Sequence, residues 1–180
     1  INYHAAHDIG HMAQNMNLVA CSALARWDFK DGQNTMLLGR NFDFYFGDDF
    51  AENKIVQFVN PNNGYRFVSV TWGGFCGVVS GMNEHGLTIT LNALPSEIPG
   101  SSSTPVSIIA RLVLQYAQTI QEAYDIVEKH DVFVSESFTI VSAQDSLAAV
   151  IEKTPLATDI YYPPGKQLIV TNHFQGELNK

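Results

Sequence analysis

LVACSALARWDFKDGQNTMLLGRNFDF, residues 18–44, sets two apolar runs on either side of an Asp-Gly pair, and the rest of the chain can be read outward from it. Leu18 to Phe29 and Thr35 to Phe44 read as strands. Lys30-Asp31-Gly32-Gln33 reads as the turn between them, because Asp-Gly supplies the backbone angles that a tight hairpin needs. If the turn is symmetric, positions summing to 63 face each other, so Cys21 lies opposite Phe42 with Arg40 as a diagonal neighbour. A three-residue turn moves the sum to 64 and sets Cys21 opposite Asp43, with Asn41 diagonal. Either register brings the thiol to the segment Arg40-Asn41-Phe42-Asp43, and the sequence leaves both open.

Before this hairpin, Ile1, Ala5, Ile9, Met12 and Met16 recur at helical spacing, which predicts an amphipathic helix bent near Gly10. After it, Ile55 to Val59 and Tyr65 to Val70 flank the turn Asn60-Pro61-Asn62-Asn63-Gly64 as a second hairpin. A short strand over Phe75 to Val79, a turn over Met82-Asn83-Glu84-His85-Gly86 and a strand over Leu87 to Asn92 extend the sheet. Leu94 to Thr104, rich in Ser and Pro, reads as a loop ending in Thr104 as N-cap and Pro105 as first helical residue. Ile108, Ile109, Leu112, Val113 and Tyr116 keep a helical period, and Thr119-Ile120-Gln121-Glu122 is a capping box opening a second helix that runs to His130. Strands return over Phe138 to Ser142, Leu147 to Glu152, Asp159 to Tyr162 and Gln167 to Asn172. The order sheet, helix pair, sheet, with no internal repeat or low-complexity linker, predicts a layered α+β architecture of two sheets and a helical layer.

Composition bounds the function. The chain has 180 residues, 46% hydrophobic and 16% charged, enough apolar content to bury a core. Its 10 Lys+Arg against 18 Asp+Glu give a formal charge of -8, which repels phosphate backbones, so nucleic acid is not an expected partner. No run reaches the roughly 18 apolar residues of a membrane span. The opening lacks the basic start and apolar middle of a signal peptide, and a chain starting at Ile1 is expected to lack its true N-terminus, which leaves the compartment open. Two cysteines, Cys21 and Cys76, are too few for a disulfide framework and wrongly spaced for a zinc knuckle, and each reads as having its own use on its own strand.

Cys21 raises the chemical question. An ordinary thiol, with a pKa of about 8.5, is only a few per cent thiolate at neutral pH, so a nucleophilic cysteine needs a base or a cation beside it. Arg40 supplies a cation. His85, His130 and His173 stand in turns or at element ends, with no visible partner to orient them as a base. Cleavage of the Ala20-Cys21 peptide bond offers another solution. Cys21 would then carry a free α-amino group, with a pKa of about 7.7 to 8.0, tethered to its own nucleophile.

Cys21-Ser22 on one strand and Leu37-Leu38-Gly39-Arg40-Asn41-Phe42-Asp43-Phe44 on the next resemble the N-terminal nucleophile (Ntn) cysteine hydrolases. These include choloylglycine hydrolase, penicillin V acylase, acid ceramidase and the acyl-CoA:6-aminopenicillanate acyltransferases. Ser80-Gly81-Met82-Asn83-Glu84-His85-Gly86-Leu87 with Leu91-Asn92, and Val170-Thr171-Asn172-His173, resemble a second and a third family signature in the same order. Phe133-Val134-Ser135-Glu136-Ser137 and Ile151-Glu152-Lys153 most resemble the acyltransferase branch. The resemblance implies an αββα sandwich, incomplete here, and a linear-amide hydrolase or acyltransferase working through an acyl-thioester on Cys21 after self-cleavage at Ala20-Cys21. It implies Asp43 as the acid orienting the new amine, Arg40 as the arginine beside the thiol, and Asn92 and Asn172 as groups serving the oxyanion and the α-amino end. No metal or organic cofactor is required. The partners it implies are a small-molecule amide or acyl donor and a C-terminal segment beyond Lys180 that brings a further arginine; a homo-oligomer stays open. Residues 1–20 are then a leading helix ahead of the cleavage point, and residues 21–180 the first two-thirds of the domain, a fragment of a longer protein. A bile-acid or N-acyl-lipid (ceramide-like) amide hydrolase of the same fold, and an inactive binding or structural module, are the other readings.

Blander roles stand beside these. Cys76, between Gly74 and Gly77, reads as core packing. As lesser alternatives, Arg40 with Asp43 reads as a cross-strand ion pair and Asn92 and Asn172 as strand-end caps, whereas Asn83 reads first as turn chemistry. His4, His7 and His11 share one helical face, a metal-site spacing whose default is a solvated face. Phe42, Phe44, Tyr45, Phe46 and Phe50 read as core and pocket wall, and Asp48-Asp49 as a solvated loop.

Overall fold

A computed structural model describes residues 19–27, 35–44, 52–96 and 104–179. The expected N-terminal helix with its histidines, the Asp31-Gly32 turn, the segment from Tyr45 to Phe50 and the middle of the Ser/Pro loop lie outside the described residues. Strands β1 (Val19–Trp27) and β2 (Met36–Phe44) pair antiparallel, with Cys21 facing Phe42 and Ala23 facing Arg40. This is the register of the symmetric turn. A late strand, β10 (Gln167–Val170), adds to the other side of β1, making a three-stranded sheet with the cysteine strand in its centre.

The remaining strands form one seven-stranded sheet in sequence order. They are β3 (Lys54–Val59), β4 (Phe67–Trp72), β5 (Ser80–Asn83), β6 (Leu87–Ala93), β7 (Glu136–Ser142), β8 (Leu147–Lys153) and β9 (Thr158–Tyr161). Between β6 and β7 run two helices, α1 (Val106–Tyr116) and α2 (Ile120–Lys129). Every residue of β7 is buried, so its sequence shows no alternation of apolar and polar. Its two faces still differ: Phe138 and Ile140 belong to a core shared with the helices, and Val141 to a second core between the sheets. That second core uses Ala23, Ala25 and Ala148, small side chains that let the two sheets approach. The described residues therefore stack as helices, large sheet, small sheet, three layers of the αββα plan. Among them, no helix is long and apolar enough to cross a membrane.

Local chemistry explains where element boundaries fall. Thr119 caps α2 through its side chain, which accepts from the Glu122 N–H at 3.2 Å, and the Glu122 carboxylate returns the bond to the Thr119 N–H at 3.3 Å. The expected cap of α1 moves by one residue. Pro105 holds the N-cap with its carbonyl accepting from Ile108 and Ile109, and no side chain caps the helix.

Residues 75–79 are not a strand, and residues 80–83 are. The three glycines at 73, 74 and 77, with Gly74 at φ +81°, break the earlier run, so Val78 and Val79 are buried as turn residues. Cys76 is exposed rather than core, because Val78 and Val79 take the buried positions of that turn. Gly81 is there for close approach: a Cβ on it would meet the Val68 carbonyl at 2.6 Å and Leu114 Cδ1 at 2.7 Å. Asn83, fully enclosed, donates to the Leu114 and Ala117 carbonyls at 3.0 and 2.7 Å and accepts from His85 and Leu87 N–H at 3.0 Å. It satisfies the open C-terminal carbonyls of α1 while shaping the β5–β6 turn, a structural role.

Candidate active site

The alternation of β1 turns Cys21, Ala23, Ala25 and Trp27 inward, and Cys21 is 5% exposed. Its cross-strand neighbours on β2 turn Phe42 and Arg40 to the same side. The guanidinium then spans the gap to the large sheet. Arg40 Nη1 donates to the Val79 carbonyl at 2.9 Å and to Ser80 Oγ, Nη2 donates to the Leu91 carbonyl, and Nε donates to the Asn41 carbonyl at 3.1 Å. The remaining contact of Nη2 is Cys21 Sγ at 3.7 Å. All five donors of the fork are thus engaged, four with oxygen and one with sulfur. Lysine, with three donors on one centre, could not make this set.

Opposing forces act on the thiol. Burial pushes the Cys21 thiol up from its ordinary pKa, while the charge and hydrogen bond of Arg40 pull it down; Glu136 adds to the rise and the Asp43 backbone opposes it. The net direction is up. Burial in turn lowers the pKa of Arg40, against the pull of Cys21.

The nitrogen of Cys21 is held from the other side. Its N–H donates to Asn172 Oδ1 at 2.7 Å, and Asn172 Nδ2 donates to the Ala93 carbonyl at 2.7 Å. Asn92 Nδ2 donates to the Thr171 carbonyl at 3.3 Å. The ends of β6 and β10 are so laced together by the two asparagines that the sequence singles out. Asp43 pairs with Ala20 and stands exposed at the edge of a cleft, while the single N–H of Cys21 goes to Asn172. No cross-strand ion pair of Arg40 with Asp43 forms, since both sit on β2. Cys21, Arg40 and Asn172 thus meet between the sheets, Asn92 joins them through the Thr171 carbonyl, and Asp43 stands at the rim.

The cleft, of about 460 Å³, opens over the Arg40 side of this point, lined among others by Phe42, Asp43, Lys54, Val70, Trp72 and Ser80. Phe42 and Trp72 meet with ring centroids 5.6 Å apart, and Arg40 lies over the Phe42 ring at 4.4 Å. It offers an aromatic wall next to a charged floor. Among the described residues no group of His, Cys, Asp and Glu is placed to hold a metal ion. Sequence reasoning passes over Ser80, Val79 and Leu91 as partners of Arg40, because they lie on strands whose position relative to β2 depends on how the two sheets stack.

The model of the acyl-coenzyme A:6-aminopenicillanic acid acyl-transferase family matches residues 29–180. An uncharacterized protein of Archaeoglobus fulgidus is 32% identical over 117 residues, 64% of this chain and 19% of that protein. The chain therefore spans less than two-thirds of the length of the curated relative it matches. Among solved structures, the Caenorhabditis elegans ortholog of N-acylethanolamine-hydrolyzing acid amidase superposes with a TM-score of 0.68 at 18% identity, over 86% of this chain and 71% of that one. A conjugated bile acid hydrolase from Clostridium perfringens superposes with a TM-score of 0.61 at 17% identity, over 87% of this chain and 54% of that one. The fold is that of the Ntn hydrolases.

Proposed function

Since the chain belongs to the acyl-coenzyme A:6-aminopenicillanic acid acyl-transferase family, we propose that it is part of a cysteine Ntn enzyme that cleaves or transfers at a linear amide through Cys21. The observation that carries this reading is the placement of Cys21 Sγ 3.7 Å from Arg40 with the nitrogen of the same residue held 2.7 Å from Asn172. On this reading the nucleophile and the future base are held before the base exists.

Maturation would proceed by attack of Sγ on the Ala20 carbonyl carbon. The C–N bond breaks and the thiol proton ends on the departing nitrogen, which becomes the free α-amino group of Cys21; water then hydrolyses the thioester, releasing the Ala20 carboxylate and restoring the thiol. In the mature site that amine takes the thiol proton, and Sγ attacks the substrate amide. The leaving amine recovers the proton, and water or an acceptor amine resolves the acyl-thioester. An ammonium has three hydrogens where the peptide nitrogen has one, so Asp43 at the rim gains a donor to accept while Asn172 keeps its own. Arg40 favours the thiolate throughout. The site calls for no metal or organic cofactor, and its partner is a small-molecule amide or acyl donor. A C-terminal segment with a further arginine would complete the site.

Amide hydrolysis of a bile-acid or N-acyl-lipid type is the second reading, favoured by the shapes that superpose and by the Phe42–Trp72 wall. Intact-mass analysis tests the common core. The chain should break at Ala20-Cys21 on incubation and Cys21→Ala should abolish both the break and hydrolysis of a panel of chromogenic acyl amides. Cleavage or amidase activity that survives in Cys21→Ala, or a chain that never breaks, sinks it; the last outcome favours an inactive binding module.

A further inference from the structure

Opposite the Arg40 bridge, a second device ties the small sheet to the large one. Glu152 on β8 is fully buried on the face that meets the small sheet, and Asp159 pairs with it on β9. One Glu152 oxygen accepts the Gln175 N–H and the other accepts the Gly176 N–H at 3.1 Å. Asp159 Oδ2 accepts the Glu177 N–H at 2.8 Å, while its Oδ1 takes the N–H of Ile160 at 2.8 Å. Three consecutive backbone N–H groups thus end on two side-by-side carboxylates. Gly176 fits closely against them: a Cβ would lie 3.1 Å from Glu152 Oε2, 3.3 Å from Asp159 Cγ and closer still to Asp159 Oδ2, so a side chain there would push the carboxylates aside.

This clamp lies just downstream of Asn172, on the same stretch after β10. Only His173 and Phe174 separate Asn172 from the first clamped residue. Asn172 must keep two bonds of 2.7 Å, to Cys21 N and to the Ala93 carbonyl, which a displacement of about 1 Å breaks. A buried carboxylate is a costly way to fill space, and an apolar side chain would serve packing better. What the carboxylates add is direction, since each accepts N–H groups along a fixed line.

We infer that Glu152 and Gly176 are positioning residues: with Asp159 they fix the 175–177 backbone so that Asn172 holds the nitrogen of Cys21 in line for reaction. The inference rests on the function proposed above, and it touches the reacting atoms only through Asn172. Its signature is therefore coupling to Asn172 rather than loss of activity as such.

The experiment combines Glu152→Gln, Asp159→Asn and Gly176→Ala with Asn172→Ala in double-mutant cycles. Self-cleavage at Ala20-Cys21 is followed by intact mass, and amide exchange at position 21 is followed by NMR in the uncleavable Cys21→Ala chain. Each clamp variant should slow cleavage about 10- to 100-fold, below the hundred- to thousand-fold of a lost donor, and should cost less than about 2-fold more once Asn172→Ala is present. The position-21 amide should lose protection about 10-fold while the β7 amides keep theirs. Equal slowing with and without Asn172, or unchanged protection at position 21, overturns the inference. If the parent chain never cleaves, the proposed function falls, and the exchange measurement still decides the clamp. Glu152→Gln and Asp159→Asn remove a charge without adding an atom in the tight space, so they stand in if Gly176→Ala does not fold.

Discussion

Replacing Arg40 with methionine tests the electrostatic core of the site. Met keeps the apolar stem over Phe42 and deletes the fork. A unit charge 3.7 Å from the sulfur, at an effective dielectric of about 20, is worth on the order of 4 kcal/mol, and delocalisation over the guanidinium reduces it. The pKa of the Cys21 thiol, already pushed up by burial, should rise further, and alkylation at pH 7 should slow by roughly 10- to 1000-fold. The assay is the pH dependence of iodoacetamide alkylation, read by intact mass in a Cys76→Ser background because Cys76 is an exposed second thiol. The midpoint for Cys21 should move to higher pH. Arg40→Met also strips donors from the Val79 and Leu91 carbonyls, at about 1–3 kcal/mol for each group left unsatisfied, so a lower melting temperature accompanies the shift. A folded Arg40→Met chain whose Cys21 midpoint stays within about 0.3 units of the parent's would refute the assignment of Arg40 as the cation that draws the thiol toward its ionised form.

Ser80→Ala removes one of the four oxygens that aim the guanidinium and should cut alkylation of Cys21 at pH 7 by about 2- to 10-fold, with Ser80→Thr restoring it; an equal loss in Ser80→Thr argues for packing instead. Asn83→Ala gives up four bonds to enclosed backbone groups, and urea unfolding should report a loss of about 2–4 kcal/mol with no change in the pH profile of Cys21 alkylation. Burial raises the pKa of Glu152, although the Gln175 and Gly176 N–H groups oppose the rise and Asp159 adds to it. The folded chain thus holds that proton more tightly than the unfolded one, and the contribution of Glu152 to stability falls as pH rises from about 4.3 through the raised folded value. Stability of the parent minus that of Glu152→Gln should shrink across that window; a difference that widens with pH contradicts the sign.

The sequence carries the Cys21–Arg40 relation because it is local to one hairpin, where alternation and turn length leave two registers, and Cys21 opposite Phe42 is the one that forms. The capping box at Thr119 is legible for the same reason, being complete within four residues. The strand at Ser80–Asn83 is not legible, because Gly81 and Asn83 are turn-forming types put to other uses: one admits Leu114, the other holds the end of α1. Cys76 misleads in the opposite way, an apolar type left outside by its glycine-rich turn. Glu152 stands out in the sequence only as part of a family-like stretch, and Asp159 and Gly176 give no signal, since the relation of the three exists only once β8, β9 and the stretch after β10 are stacked.

The bond between Cys21 and Asn172 joins residues 151 positions apart. Closing a contact of such separation costs more chain entropy than closing a local one and requires both stretches to be present. Cys21 lies on β1, and the residue that holds its nitrogen follows β10. A partly folded or still-emerging chain therefore carries the thiol but not the geometry. On the function proposed above, chemical competence would arrive only as the two sheets meet, so the Ala20-Cys21 bond would be open to attack in the folded chain and not before.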